Sequence, residues 1–246
     1  MNRQDRLIAV DIGNTNITIG VFKGERLIKK MKIPTNSYSL YDKNFRKFPS
    51  SDIIISSVVP PALSRLTASL NKIGNCRVSI VGRDVLVPVK NLYRIKSEVG
   101  QDRLVNAYAA ASIYGAPCAI IDFGTAITFD LVSKKGEYLG GLILPGIDMS
   151  LAGLYRDTAL LPKVKLKRAH DIIGKDTVNS MRGGILFGFG KMCDGLIFEY
   201  RKILGKGLKV IATGGNASLM KIYAKSIHAV DADLTLKGLY LIHRKI

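Results

Sequence analysis

The sequence has 246 residues, 47% of them hydrophobic, so it can bury a large core and is globular rather than disordered. The sequence has 37 Lys and Arg residues against 19 Asp and Glu residues, so its formal net charge is +18. A positive charge of this size favours anionic partners such as nucleic acid, anionic lipid or acidic metabolites. The basic residues are scattered, without interleaved aromatics or a DNA-binding motif. We therefore interpret the charge as a lysine-rich solvated surface and expect no nucleic acid partner.

No stretch of the sequence reads as a membrane span, because Lys191 and Asp194 interrupt the most apolar region, 185–200. The apolar run 7–10 near the N-terminus is too short for the core of a signal peptide. The cysteines are odd in number and lack the spacing of a zinc site or a disulfide framework: Cys76, Cys118 and Cys193. These features predict a protein of the reducing cytoplasm with no membrane partner.

The first part of the chain alternates short β-branched runs with helical patterns. The predicted strands are 7–10, 17–22, 26–32, 53–58 and 78–81, and the predicted helices are 60–73 and 104–114. Two prolines, Pro60 and Pro61, open the first of these helices, where a missing N–H is tolerated.

The same order of elements then restarts. Strands are predicted over 119–121, 127–132, 138–144 and 209–212, and helices over 177–204 and 217–225. The segments AVDIGNTNITIGVFKGERL and IIDFGTAITFDLVSKKGEYL share an apolar run, an Asp, a Gly, a Thr-containing tip, a strand and a turn of Lys and Gly. We therefore predict a duplicated α/β chain whose two halves each present an Asp-x-Gly hairpin to one ligand in a cleft between them.

The residues at the tip of the first hairpin are of the types that bind phosphate. Gly13 permits a tight turn and a close approach of backbone N–H groups to an anion, and the hydroxyl and amide side chains that follow add donors. The carboxylate of Asp11 would repel bare phosphate, but it would suit a hydrated Mg²⁺. An Asx-stabilised β-turn is the alternative for one hairpin alone. The matching hairpin with Asp122 favours the phosphate hypothesis.

Three further segments contain candidate catalytic or ligand-binding residues. In GQDRLVN, Asp102 is either the N-cap of a helix or a fixed acid that acts as a base. GGLILPGI leads a strand through Pro145 and Gly146 into a helix, and ATGGNA turns a strand through two glycines into a helix, which suits a nucleotide. The sequence lacks GxxxxGK[ST], which excludes a P-loop kinase.

The ordered motifs DIGNTN, EVGQDR, DFGTAIT, GGLILPG and TGGNA resemble those of the type III pantothenate kinases, in the superfamily of actin, hexokinase and acetate kinase. The resemblance runs from about residue 7 to the C-terminus. It implies duplicated ribonuclease H-like (actin-like ATPase) halves, over 1–115 and 116–246, each a mixed sheet with flanking helices. It also implies ATP-dependent phosphorylation of pantothenate, the first step of coenzyme A biosynthesis, by a homodimer whose long helix after Thr177 contributes to the interface.

The resemblance assigns roles by position. Asp102 is the implied general base, and Asp11 is the predicted Mg²⁺ ligand, through water. Asp122 is implied to bind a monovalent cation, K⁺ or NH₄⁺. The implied ATP-binding residues are Asp11, Ile12, Gly13, Asn14, Thr15, Asn16, Ile17, Thr18 and Thr125. The implied pantothenate-binding residues are Tyr93, Gly100, Gln101, Asp102, Arg103 and Thr177. The sequence leaves open whether Arg103 pairs with Asp102 or with the pantothenate carboxylate.

Gln101 departs from the family pattern, which has a small residue between Gly100 and Asp102. A long polar side chain there either points away from the pantothenate pocket or narrows it.

Two alternative functions stay open at this point: a non-catalytic regulator associated with nucleic acid, and a related sugar or acetate kinase. The presence of all three acids, Asp11, Asp102 and Asp122, argues against a regulator that has lost its activity.

Overall fold

The computed structural model describes residues 6–47, 51–74 and 76–246. These residues form two compact units, and both are discontinuous in sequence. The first unit contains the described residues from Arg6 to Val89, the segment 93–109, and the segment 233–246. The second contains residues 90–92 and 110–232.

Ten strands lie within the described residues. In chain order they are β1 (Arg6–Ile12), β2 (Asn16–Lys23), β3 (Arg26–Pro34), β4 (Asp52–Ser57), β5 (Arg77–Ile80), β6 (Cys118–Phe123), β7 (Ala126–Val132), β8 (Tyr138–Pro145), β9 (Lys209–Thr213) and β10 (Ala229–Val230). They make one sheet in each unit, with the order β3-β2-β1-β4-β5 in the first and β8-β7-β6-β9-β10 in the second. In each sheet the first three strands are antiparallel and the last two join in parallel.

Seven α-helices lie in the same residues. They are α1 (Ser39–Phe45), α2 (Pro60–Ile73), α3 (Gln101–Tyr114), α4 (Ile147–Arg156), α5 (Thr177–Leu204), α6 (Ala217–Tyr223) and α7 (Leu234–His243). A short 3-10 helix, Lys96–Glu98, precedes α3. Helix α3 begins in the first unit and its last turn belongs to the second.

The core of the first unit lies between its sheet and the helices α1 and α2. Alternate residues of β1, β2 and β4 enter this core, among them Ile8, Ile19 and Ile53, as the period of two in a strand requires. The opposite face of the sheet is covered by α7. There the ring of Phe22 stacks on Tyr240 at a centroid distance of 5.0 Å.

The core of the second unit is built in the same way from β6, β7 and β9 against α4, α5 and α6. Its buried residues include Ile121, Phe129 and Val210 from the sheet, with Leu186 and Ile197 from the long helix. The matching strand orders confirm the predicted duplication.

The predicted strands agree with the observed ones apart from their ends. Helix α5 has the predicted bounds, whereas α6 ends at Tyr223 instead of residue 225. The short helix α1, the strand β10 and the helix α7 were missed. Among the described residues, no helix combines the length and apolar character needed to cross a membrane.

Candidate active site

The first predicted phosphate loop is the hairpin that joins β1 to β2. Asp11 is half-buried, one residue before the end of β1, and the tip residues Asn14, Thr15 and Asn16 are exposed. The backbone N–H of Gly13 donates to the carbonyl of Asn16 at 3.1 Å, which closes the tip as a tight turn. The tip therefore presents its amide and hydroxyl side chains at the protein surface.

Two residues of this loop have their side chains in the first core. Ile12 and Ile17 are fully buried, and they pair with each other across β1 and β2. They close the base of the hairpin. Of the predicted ATP-binding residues, these two are placed to offer a ligand backbone atoms alone.

The loop is held in place by a residue that the sequence did not indicate. Thr35, which is 1% exposed, follows β3, and its hydroxyl donates to the carbonyl of Gly13 at 2.7 Å. Its backbone N–H also donates to the carbonyl of Thr15 at 3.0 Å. The hydroxyl of Tyr41 in turn donates to the carbonyl of Thr35 at 2.6 Å. The short helix α1 thereby supports the hairpin tip.

A row of polar side chains crosses the first sheet at the base of the hairpin. Asp11 is the register partner of Thr18 on β2 and of Ser56 on β4. Register partners on neighbouring strands project to the same face of a sheet. We call Thr18, Asp11 and Ser56 the first polar row. Its side chains offer oxygen atoms alone and one carboxylate, which fits a Mg²⁺ ion that keeps most of its waters.

The second predicted loop, Gly100 to Arg103, forms the start of α3. Asp102 is the second residue of that helix, so it lies in the first turn rather than before it. Its Oδ1 accepts the backbone N–H of Arg103 at 2.8 Å. A Cβ added to Gly100 would lie 2.5 Å from the same oxygen. The absence of a side chain at Gly100 leaves room for the Asp102 carboxylate in this position. The carboxylate also interacts favourably with the positive end of the helix dipole.

Val58 joins the two loops within the first unit. Its backbone N–H donates to the carbonyl of Ile12 at 3.1 Å. Its Cγ1 lies 3.5 Å from the position of a Cβ on Gly100. The structure therefore brings the hairpin of Asp11 and the loop of Asp102 together through one residue at the end of β4.

The side chain of Gln101 packs against Gly82. A Cβ added to Gly82 would lie 2.6 Å from Cδ of Gln101 and 2.9 Å from its Nε2. Gly82 also has a φ of +85°, a conformation that favours glycine. The larger residue at 101 is thus accommodated by the absence of a side chain at 82.

Arg103 is only 8% exposed. Tyr93 is half-buried in an extended segment before the 3-10 helix.

Thr177 is exposed at the first position of α5 in the second unit. The preceding residue, Asp176, caps this helix by accepting the backbone N–H of Asn179 at 2.9 Å, and this hydrogen bond lowers the pKa of its carboxyl group.

The second hairpin brings three motifs together in the second unit. A Cβ added to Gly214 would lie 2.4 Å from Oδ1 of Asp122, so the carboxylate lies directly over this glycine. A Cβ on Gly146 would lie 1.9 Å from the carbonyl oxygen of Thr125. The motifs DFGTAIT, GGLILPG and TGGNA therefore pack around one hairpin, and only glycine allows both close approaches.

The second hairpin also has a polar row. Asp122 is the register partner of Thr128 on β7 and of Thr213 on β9. We call Thr128, Asp122 and Thr213 the second polar row. The hydroxyl of Thr128 donates to Oδ2 of the fully buried Asp130 at 2.9 Å. The oxygen donors of this row fit a monovalent cation.

The helices that follow the two glycine motifs are tied to each other. The side-chain Nδ2 of Asn216 donates to Oδ2 of Asp148 at 3.0 Å, and its backbone N–H donates to the carbonyl of Phe123 at 3.3 Å. In the described part of the chain, no group of three or more His, Cys, Asp and Glu is arranged to hold a metal ion. A divalent ion here would depend on single carboxylates and on water.

Comparison of this chain with known proteins identifies its family. The model of the type III pantothenate kinase family matches residues 7–199. The type III pantothenate kinase of Myxococcus xanthus (strain DK1622) is 39% identical, and the alignment covers 96% of this chain and 97% of the relative. That of Listeria welshimeri is 38% identical over 97% of each chain.

Similar solved structures share the fold at low sequence identity. An inorganic polyphosphate/ATP-glucomannokinase from Arthrobacter sp. strain KM has a TM-score of 0.53 and 15% identity, covering 99% of this chain and 100% of that one. MreB5 of Spiroplasma citri has a TM-score of 0.52 and 12% identity, covering 98% and 96%. A protein from Campylobacter jejuni described as a Baf family transcriptional activator has a TM-score of 0.57 and 21% identity, covering 97% of each chain. These likenesses confirm the predicted duplicated actin-like fold.

Proposed function

This chain belongs to the type III pantothenate kinase family, and we propose that it transfers the γ-phosphoryl group of ATP to the terminal hydroxyl of pantothenate with Asp102 as general base. The chain is a pantothenate kinase and acts in coenzyme A biosynthesis. The phosphoryl donor, the roles of single residues and the metal ions are the proposal.

One observation carries the assignment of Asp102. Val58 contacts both Ile12 and Gly100, so the loop of Asp102 lies next to the hairpin of Asp11 in the same unit. The hydrogen bond from the backbone N–H of Arg103 fixes the carboxylate, and this arrangement supports Asp102 as the proton acceptor beside the proposed phosphate loop. Geometry comes before acidity when a general base is identified.

The proposed reaction needs positioning and charge neutralisation more than covalent chemistry. The pantothenate hydroxyl oxygen forms a bond to the γ-phosphorus as the bond to the ADP oxygen breaks, and Asp102 accepts the hydroxyl proton. Gly100 to Arg103, Tyr93 and Thr177 hold pantothenate. The tip between Gly13 and Asn16, together with Thr125, donates hydrogen bonds to the ATP phosphates.

Two oxygen-rich rows hold the proposed ions. Asp11 in the first polar row holds a hydrated Mg²⁺, and Asp122 in the second holds K⁺ or NH₄⁺. When bound, these cations neutralise phosphate charge. The surrounding side chains supply the orientation: Thr18 and Ser56 flank Asp11, while Gly214 leaves room for the carboxylate of Asp122.

The enzyme is proposed to be a homodimer that uses α5. No described atom lies within 4 Å of a Cβ added to Gly184, Gly188 or Gly195, so this surface of the helix is open to close packing. Phe198 and Ile203 on the same helix are 60% and 74% exposed. A Gly188→Glu substitution should convert the dimer to a monomer in sedimentation velocity, and a wild-type monomer would contradict the assignment.

Transfer to pantothenate tests the kinase proposal directly. We would measure phosphopantothenate by mass spectrometry with ATP, Mg²⁺ and K⁺, and compare the wild type with Asp102→Asn. Asp157→Asn is the matched control, since that side chain is 61% exposed and pairs with Arg156. Loss of a general base lowers kcat by about 10²- to 10⁴-fold, and the control should keep wild-type activity.

Two results would overturn this proposal. Transfer to a sugar or to acetate, with pantothenate untouched, would support the related kinases. Equal inactivity of wild type and Asp102→Asn, together with DNA binding that weakens steeply with salt, would support a nucleic-acid-associated regulator.

A further inference from the structure

The two units repeat the same polar row around the acid of each hairpin. In the first polar row Asp11 stands between Thr18 and Ser56, and in the second Asp122 stands between two threonines. In both, one hydroxyl comes from the hairpin partner strand and the other from the parallel strand on the opposite side. A carboxylate flanked by two hydroxyls is thus a recurrent element of this fold rather than a feature of one strand.

Ser56 is the unusual member of the first polar row. It is 0% exposed, and among the described residues its Oγ has no hydrogen-bond partner. A buried hydroxyl without a partner costs stability, and most buried polar atoms in native proteins are satisfied. The residue before it, Ile55, enters the first core, so Ser56 points to the other face of the sheet, the face of Asp11.

The register puts this hydroxyl next to the carboxylate. Neighbouring strands lie about 4.8 Å apart, and Ser56 is the direct partner of Asp11 on β4. Rotation of the two side chains about their Cα–Cβ bonds is enough to bring a hydroxyl and a carboxylate from this separation to hydrogen-bonding distance. The end of β4 also leads into Val58, which holds both the Asp11 hairpin and Gly100.

We propose that Ser56 is a positioning residue for ATP binding: its hydroxyl donates a hydrogen bond to the carboxylate of Asp11 and orients it towards the hydrated Mg²⁺ of the nucleotide. This inference rests on the proposed function, because it needs Asp11 at the metal. Ser56 does not touch the reacting atoms. It acts by restricting the carboxylate to the orientation that the metal-bound waters require.

The second polar row indicates how the site tolerates substitution. The position equivalent to Ser56 is Thr213, which is 3% exposed on β9. Threonine is therefore compatible with a buried row of this geometry. Ser56→Thr keeps the hydroxyl and is the conservative variant, whereas Ser56→Ala removes it. Ser226→Ala is the matched control, because its Oγ is also buried without a hydrogen-bond partner in the described chain, and it lies outside both rows.

The experiment measures ATP affinity by isothermal titration calorimetry, with and without Mg²⁺, and thermal stability without ligand. A hydrogen bond to an ionised group corresponds to about tenfold or more in affinity. Ser56→Ala should bind ATP about tenfold more weakly when Mg²⁺ is present and equally well when it is absent. Its melting temperature should equal or exceed that of the wild type, since an unsatisfied hydroxyl has been removed. Ser56→Thr should restore Mg²⁺-dependent affinity to within about threefold.

A double-mutant cycle separates positioning from general effects. In an Asp11→Asn background, Ser56→Ala should change Mg²⁺-dependent ATP affinity by less than about twofold, since the acceptor charge is gone. Additive losses would overturn the proposal, and so would a Ser56→Ala variant that behaves like Ser226→Ala or melts well below it. If the wild type transfers phosphate to pantothenate while Ser56→Ala is normal, this inference alone fails. If the wild type binds no Mg²⁺-ATP, the proposed function fails with it.

Discussion

The hydroxyl of Thr35 donates a 2.7 Å hydrogen bond to the carbonyl of Gly13, across 22 positions of the sequence. Both residues lie at turns, and neither belongs to a strand. The hairpin tip is therefore held from outside the hairpin. Its geometry depends on a segment that contains no residue assigned to chemistry.

Removal of the Thr35 hydroxyl should loosen this tip. In Thr35→Val the side-chain shape is kept but the partly buried carbonyl of Gly13 loses the hydroxyl donor, so the free energy of unfolding should fall by about 1–2 kcal/mol. The KM for ATP should rise. Thr67→Val is the control, because that hydroxyl bonds only within its own helix, to the carbonyls of Leu63 and Ser64. Denaturant unfolding and steady-state kinetics of both variants provide the measurement, and equal values for the two would contradict the role of Thr35.

A side chain at position 82 should displace Gln101. Gly82→Ala combines a strained φ of +85° with a Cβ 2.6 Å from Cδ of Gln101. Gly136→Ala supplies the strain alone, since its φ is +76° and no described atom lies within 4 Å of the added Cβ. Each variant should lose about 1–3 kcal/mol of stability.

The two glycine variants should differ in their KM for pantothenate. Only Gly82→Ala should raise it, because only there does the added methyl group push a residue of the proposed pantothenate loop. In a Gln101→Ala background, Gly82→Ala should leave the KM for pantothenate unchanged while still lowering the stability. A further rise of the KM in that background would show that Gln101 does not transmit the effect.

Position 214 should control the response to monovalent cations. In Gly214→Ala the new Cβ would lie 2.4 Å from Oδ1 of Asp122 and 2.6 Å from the carbonyl carbon of Phe123, so both the carboxylate and the hairpin backbone have to move. We expect K⁺ stimulation of transfer to fall by about tenfold, the scale of one displaced charged contact. Gly215→Ala places a methyl group where no described atom lies within 4 Å and should retain the K⁺ response. Activity titrated against KCl in both variants tests this assignment of Asp122.

Two buried thiols should make the fold sensitive to alkali. Burial raises the pKa of Cys118 and of Cys193 from 9.0 to about 12. Above pH 9 the unfolded chain therefore releases protons that the folded chain keeps, and stability falls as the pH rises. The expected slope is up to about 1.4 kcal/mol per pH unit for each thiol.

Urea unfolding at pH 8 and pH 10 measures this slope. Cys193→Ala should be less stable than the wild type at pH 8 because of the cavity, yet it should lose less stability on going to pH 10. A variant whose loss between the two pH values equals that of the wild type would contradict a protonated thiol in the folded state.

The sequence was most informative where local rules act alone. An Asp at the end of an apolar run, followed by Gly and a β-branched run, predicted both hairpins, because strand period and turn chemistry are local. Helix α5 was predicted with its observed bounds, since Asp176 caps its start and Gly205 follows its end. The duplication was visible because the two hairpins share the same order of residue types.

The contacts that were missed are tertiary. Thr35 reaches Gly13, and Gln101 reaches Gly82, only after the chain has folded back on itself. Helix α7 has a glycine near its middle, which lowers helix propensity. That residue, Gly238, lies where a Cβ would be 2.7 Å from Val105, so packing decides the helix and the local pattern does not.

The return of α7 to the first unit has a consequence for synthesis on the ribosome. The strands β1 to β5 emerge early, but the face that α7 covers stays open until the whole second unit has been translated. Leu236, which packs on Gly20, is translated only after the last residue of the second unit, Ala232. The half that is made first is therefore the half that completes its folding last, and a nascent chain that stalls after α6 exposes an apolar sheet to chaperones and proteases.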